Sequence, residues 1–144
     1  MPKKTVLAFG TFDLLHPGHL SYLQQAKALG NRLVVVVATD LNVEKIKGVK
    51  PVNDEEHRKR LVEALKIVDE AMIGFEDDMI KSVEKVNPDV VALGYDQEPG
   101  TEKLRKIFLE RGISAKVLRM KPFNEHLYKS SKIKEKVLEK NGGK

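Results

Sequence analysis

The sequence contains no cysteine. Disulfides, thiolate metal sites and cysteine nucleophiles are therefore excluded, and the composition fits a reducing cytoplasm. Nor does any stretch approach the roughly 18 unbroken apolar residues that a membrane-spanning helix needs, so no membrane partner is expected. The apolar run after Met1-Pro2-Lys3-Lys4 is only Thr5–Phe9, too short and with the wrong sequel for a signal peptide. Aromatic residues are scarce, at five Phe and three Tyr. What remains is 144 residues, 41% hydrophobic and 33% charged. That profile suits one soluble globular domain spanning residues 1–144, large enough to bury about two-thirds of its unfolded surface.

The formal net charge of +5 suits nucleic acid or small anionic substrates alike. Much of the excess lies in Lys129–Lys144, where six lysines face two glutamates. Ile133, Val137 and Leu138 give this segment a helical stripe, so a basic terminal helix is expected over about 129–140. A solvated helix face accounts for its lysines without a nucleic-acid partner.

Buried parallel strands read as short continuous apolar runs. Thr5–Phe9, Leu33–Ala38, Val90–Leu93 and Ala115–Leu118 have this character, and Glu70–Ile73 is a weaker fifth. Helical spacing fills the intervals. Leu20, Leu23, Ala26 and Leu29 form one stripe. Leu61, Val62 and Leu65 form another, starting near Asn53-Asp54 with Glu56 placed for a cap. Ile80, Val83 and Val86 form a third, stopped before Pro88, and Leu104, Ile107 and Phe108 a fourth, ended by Gly112. Strands alternating with helices predict a doubly wound, Rossmann-like α/β domain with a five-stranded parallel sheet. Ligands in such folds gather beyond the carboxyl ends of the strands. The segments following each strand are where function is to be sought.

The first of these is Gly10-Thr11-Phe12-Asp13-Leu14-Leu15-His16-Pro17-Gly18-His19. Gly10 permits a sharp turn, and Pro17 suits a first helical position. Histidines three apart at a helix start can present both imidazoles to one point. That point also receives free backbone N–H groups and the positive end of the helix dipole. The arrangement suits attack of a phosphate oxygen on an NTP α-phosphorus, where preorganised donors supply much of the catalysis. A phosphomonoester acceptor is already ionised, so no general base is needed. An ordinary capped helix is the bland alternative. Zinc is the weaker one, because no third ligand follows.

This segment resembles the signature of the cytidylyltransferase-like nucleotidyltransferases. The group includes glycerol-3-phosphate cytidylyltransferases, phosphopantetheine adenylyltransferases and archaeal-type FAD synthetases. The resemblance implies that His16 and His19 contact the triphosphate, with Gly10, Thr11, Phe12, Pro17 and Gly18 lining the nucleotide. It implies that Lys45, Lys47 and Arg58 reach the phosphates, Lys47 as a catalytic residue and Arg58 as a bidentate clamp. It further implies that Asp96, in Gly94-Tyr95-Asp96-Gln97, meets the nucleotide, and that Ser130 and Ser131 hold the β- and γ-phosphates. Asp13, Asp40 and Tyr128 are candidates for the acceptor. Asp40 is equally placed to cap a helix. A divalent cation, Mg²⁺ or Co²⁺, accompanies the NTP, and no resident metal ligands are expected.

Ile46-Lys47-Gly48-Val49-Lys50-Pro51-Val52, the Leu61–Asp69 helix with its Val-Asp ending and Gly94-Tyr95-Asp96-Gln97 are most similar to archaeal-type FAD synthetases. The implied substrates are ATP and FMN, and a homodimer is implied by the same analogy. That family is marked by a C-terminal cysteine pair, which this chain lacks. FMN needs an apolar or aromatic slot for its rings. Phe12, Phe75, Tyr95, Phe123 and Tyr128 lie in segments that could supply one. CTP with glycerol 3-phosphate is the alternative pair, and a non-catalytic nucleotide sensor the alternative of another class.

Overall fold

In the computed structural model, residues 4–76, 78–97 and 100–122 are described. The expected basic helix, with Phe123, Tyr128, Ser130 and Ser131, lies outside them. Five strands form the sheet: β1 (Thr5–Gly10), β2 (Arg32–Val37), β3 (Glu70–Ile73), β4 (Val90–Leu93) and β5 (Lys116–Arg119). Their order is β3-β2-β1-β4-β5, and every neighbouring pair is parallel. The doubly wound parallel sheet is thus as expected. β1 is central, with Leu7 in register with both Val34 and Val91.

The inner strands β1, β2 and β4 are buried on both faces, which is why they read as unbroken apolar runs, whereas the edge strands β3 and β5 are more exposed. On one face Val6, Ala8, Val35 and Val37 pack with Leu23 and Ala26 of α1 (Pro17–Lys27) and Val62 of α3 (Glu55–Glu63). On the other, Leu7, Phe9, Val34 and Val91 pack with Ile80 and Val83 of α4 (Ile80–Val86) and Leu104 and Phe108 of α5 (Thr101–Arg111). The chain builds outward from β1 through β2 to β3, then returns to place β4 on the other side of β1. The switch point therefore lies between the carboxyl ends of β1 and β4.

Two local expectations change. Asp40–Lys47, where no helical stripe is expected, forms a helix, α2. Thr39 caps it, its hydroxyl accepting the Asn42 N–H at 3.1 Å, so Asp40 is the first helical residue and not the cap. Gly48, at φ 79, ends α2 in the left-handed region. The next helix is capped by Asp54, whose carboxylate accepts the His57 N–H at 2.9 Å, and Glu56 takes no part in that bond. α3 stops at Glu63, so the helix expected over Leu61–Asp69 ends early and Leu65 of its stripe lies in the turn that follows.

Candidate active site

The site starts where β1 ends. A Cβ on Gly10 would lie 2.6 Å from the Phe12 ring, so only glycine fits unless the ring moves. Phe12 itself has φ 51, an uncommon conformation for a bulky residue. That twist folds its ring back into the core, where it is 2% exposed. It meets the His19 ring edge-on at 5.3 Å and stacks on Tyr22 at 6.4 Å. His16 is the N-cap of α1, in extended conformation, and its Nδ1 accepts the Gly18 N–H at 3.1 Å. Pro17 occupies the start of the helix, as its sequence position predicts. The two imidazoles stack with centroids 3.8 Å apart.

Burial lowers the His16 pKa. His19 is pushed down to about 3, mainly by burial, then by the charges of His16 and Lys47, with Asp13 opposing weakly. Both rings are therefore neutral at pH 7. Because His16 Nδ1 is an acceptor, its proton sits on Nε2. His19 Nδ1 is buried and, among the described residues, has no hydrogen-bond partner. A bare ring nitrogen tolerates this better than an N–H would, so the same tautomer is assigned. Lys47, in the last turn of α2, is close enough for its charge to act on His19. The structure thus brings His16, His19 and Lys47 together at the end of the central strand.

Arg58 departs from the expected phosphate clamp. It is fully buried, and Nε donates to the Asn53 carbonyl at 2.9 Å while Nη1 donates to the Thr11 carbonyl at 2.8 Å. Nη2 donates to Asp40 Oδ1 at 2.6 Å. The guanidinium thus ties together the first turn, the loop after α2 and the start of α2. Asp13, a candidate for the acceptor, is 3% exposed. Its carboxylate accepts the Val52 and Asn53 N–H groups, both at 2.8 Å, and its carbonyl accepts the Asn53 amide at 2.8 Å. Asp13, buried and bonded by backbone donors, and Asp40, paired with Arg58 at the start of α2, therefore frame the site.

Across the switch point, Gly94 and Asp96 follow β4, and Asp96 is exposed. Gln97 turns its side chain inward: Oε1 accepts the Gly94 N–H at 2.8 Å and Nε2 donates to the Phe9 carbonyl at 2.6 Å. Arg119 donates to the Gly94 carbonyl at 2.6 Å from behind. Sequence reasoning gave Gln97 and Tyr22 no role, because a lone amide or phenol carries no motif.

Of the five aromatics expected to supply an acceptor slot, Phe123 and Tyr128 lie outside the described residues. Phe12 is core, and the Lys85 ammonium lies 5.9 Å from the centre of the Phe75 ring. Among the described residues no group of three or more His, Asp or Glu is placed to hold a metal ion, and no helix is long and apolar enough to cross a membrane. Two clefts lie elsewhere, one of about 350 Å³ between Lys4 and Lys116 and one of about 410 Å³ along α5 and β5. Neither contains any residue of this constellation, and the open carboxyl edge of the sheet is the better candidate on chemical grounds.

Residues 7–136 match the cytidylyltransferase-like family. A protein named FAD synthase from Ferroglobus placidus is 49% identical over 136 residues, covering 94% of this chain and 88% of its own. Another of that name, from Archaeoglobus fulgidus, is 43% identical over 139 residues, covering 96% and 100%. Among solved structures, one described as a lipopolysaccharide core biosynthesis protein from Thermoplasma volcanium superposes with a TM-score of 0.81 at 41% identity. That match covers 85% of this chain and 100% of that one. A pantoate-beta-alanine ligase from Francisella tularensis, with a TM-score of 0.66 at 14% identity over 92% and 65% of the two chains, shares the fold alone.

Proposed function

Because the chain belongs to the cytidylyltransferase-like family, we propose that it is a nucleotidyltransferase that moves AMP from ATP to FMN, giving FAD and pyrophosphate. The observation that carries the reaction type is the stacked, neutral imidazole pair beside Lys47 at the end of the central strand. The relatives named FAD synthase support the choice of acceptor.

In this reading an FMN phosphate oxygen attacks the α-phosphorus of ATP. The bond from that phosphorus to the bridging α–β oxygen breaks, and its electron pair leaves with pyrophosphate. His16 and His19 donate from Nε2 to the phosphate oxygens as charge shifts onto them. Lys47 neutralises the departing pyrophosphate. Gly10, Thr11, Phe12, Pro17 and Gly18 form the turn beneath the nucleotide, Asp96 meets its ribose, and Ser130 and Ser131 hold its outer phosphates. A divalent cation, Mg²⁺ or Co²⁺, enters with the triphosphate and neutralises part of its charge. On the acceptor side, Asp13 tethers the loop bearing Val49 and Val52, which are 64% and 63% exposed. This apolar surface suits the flavin rings, beside whatever Tyr128 contributes. A cytoplasmic location and a homodimer belong to the same reading.

The test offers FMN with ATP, FMN with CTP, and glycerol 3-phosphate with CTP, each with Mg²⁺ or Co²⁺, and identifies products by mass. FAD is expected from the first mixture. CDP-glycerol from the third without FAD from the first would reassign the substrates. No pyrophosphate from any mixture would leave a nucleotide-binding protein.

A further inference from the structure

The β1–β4 ladder stops at the pair Ala8 and Ala92, although both strands run on toward the site. Continued regularly, a parallel ladder would join the Phe9 N–H to the Ala92 carbonyl and the Gly94 N–H to the Phe9 carbonyl. The second does not form, and the first is shared with a side chain: the Phe9 N–H donates to the Tyr22 hydroxyl at 3.1 Å, and that hydroxyl donates to the Ala92 carbonyl. The Gly94 N–H donates to the Gln97 carboxamide, which itself donates to the Phe9 carbonyl. Of two successive rungs, one is thus shared with the Tyr22 hydroxyl and the next is replaced by the Gln97 carboxamide.

From this geometry we infer that Tyr22 and Gln97 form a polar wedge that splays β1 from β4 at the switch point and sets the width of the nucleotide crevice. They are positioning residues: each acts by holding the two loops, Gly10–His19 on one side and Gly94–Gln97 on the other. The inserts come from opposite directions, Tyr22 from the second turn of α1 and Gln97 from the loop after β4. Both are anchored. The Tyr22 ring stacks on Phe12, which in turn packs against His19, so the wedge is in contact with the histidine pair. The Gln97 backbone is held by its own N–H to the Gly94 carbonyl at 3.2 Å and by Arg119 at 3.3 Å to its carbonyl. An α-carbon substituent on Gly94 would press on the Gln97 side chain at 3.3 Å, so the glycine keeps the insert in place. A strand separation set by side chains is a length that substitution can change without dismantling the sheet, because the rungs below Ala8 remain. The nucleotide bridges the two loops, whereas the acceptor approaches from the side of α2, so the wedge governs ATP and not FMN.

This inference rests on the proposed use of ATP, and its test has two arms. Tyr22→Phe keeps the ring and removes both of its bonds, and Gln97→Met keeps the length of the side chain and removes both of its own. In wild-type protein and both variants, backbone amide exchange is followed at Phe9 and Gly94, with no substrate present. Exchange at Phe9 in Tyr22→Phe, and at Gly94 in Gln97→Met, is expected to quicken at least about 10-fold while amides at Leu7 and Val91 stay protected, the loss of one hydrogen bond being worth about that factor. In turnover, each variant is expected to raise KM for ATP about 10-fold, with KM for FMN unchanged and kcat within about 3-fold. The double variant is expected to cost less than the product of the two, since both hold one gap. Faster exchange with an unchanged KM for ATP would reduce the wedge to a structural detail. Unchanged exchange would overturn it outright. A wild-type protein that makes no FAD would instead refute the proposed substrates, and the exchange arm would still decide the wedge.

Discussion

Replacing Arg58 with methionine separates two roles for a buried guanidinium. Methionine fills much of the same volume and supplies no donor. The Thr11 and Asn53 carbonyls, bonded to Arg58 at 2.8 and 2.9 Å, would lose their partner. Each stranded carbonyl, part-buried in the protein, costs about 1–3 kcal/mol. Asp40 has 35% of its side chain exposed, so water partly replaces the lost ion pair and that contribution is discounted. The sum is about 3–5 kcal/mol, the range seen when one partner of a buried pair is removed. For a domain of this length that lowers Tm by about 10–15 °C. A fold worth about 5–15 kcal/mol survives at low temperature, so kinetics can be measured on folded protein. Thermal melts followed by circular dichroism, with ATP titrations of turnover at 15 °C, are the assay. A large fall in Tm with KM for ATP raised less than about 10-fold is expected, since no donor aimed at substrate has gone. A Tm within 2 °C of wild type together with a KM raised about 100-fold would refute the reasoning, because the guanidinium would then serve phosphate and not the loops.

Three further outcomes are expected. His19→Ala should lower kcat at least about 100-fold, the usual cost of losing one transition-state donor, and near-native turnover would remove the histidine from the mechanism. Because the His19 pKa falls to about 3 in the folded state, the unfolded chain alone takes up this proton below about pH 6.5. Stability should therefore decline as pH drops from 6.5 to 4.5, by at most about 1.4 kcal/mol per unit from this group, and His19→Asn should flatten that slope in urea melts. Parallel slopes for the two proteins would contradict the assignment. Gly10→Ala should cost about 1–3 kcal/mol and reduce kcat, because the methyl displaces the ring that supports His19. A stability change under 0.5 kcal/mol would mean that Phe12 yields freely.

The five strands were legible because a parallel sheet covered on both faces leaves uninterrupted runs such as Leu33–Val37. α2 was not, since only Val43 of its eight residues is buried and the periodic signal is too thin. The histidine pair could be read because its placement after a strand and before a helix carries the geometry with it. Arg58 shows where that legibility ends. A sequence gives the charge but not its burial, and burial with three protein oxygens is what distinguishes a brace from a clamp. The Tyr22 and Gln97 inserts were out of reach for a different reason. They depend on where two strands distant in sequence stop pairing, and no local pattern records that.

In the proposed reaction, neutral imidazoles at the triphosphate have a consequence for turnover. A site that gripped its substrate with fixed buried cations would hold the released pyrophosphate about as firmly, and the product would then limit the rate. Uncharged donors are least effective when oxygen charge is delocalised and most effective when it concentrates during bond cleavage. Keeping His16 and His19 neutral thus directs their contribution to the barrier and away from the complexes on either side of it. In that reaction, release of product would fall to Lys47, which lies on an exposed helix end next to Gly48, and to the cation proposed to accompany the pyrophosphate.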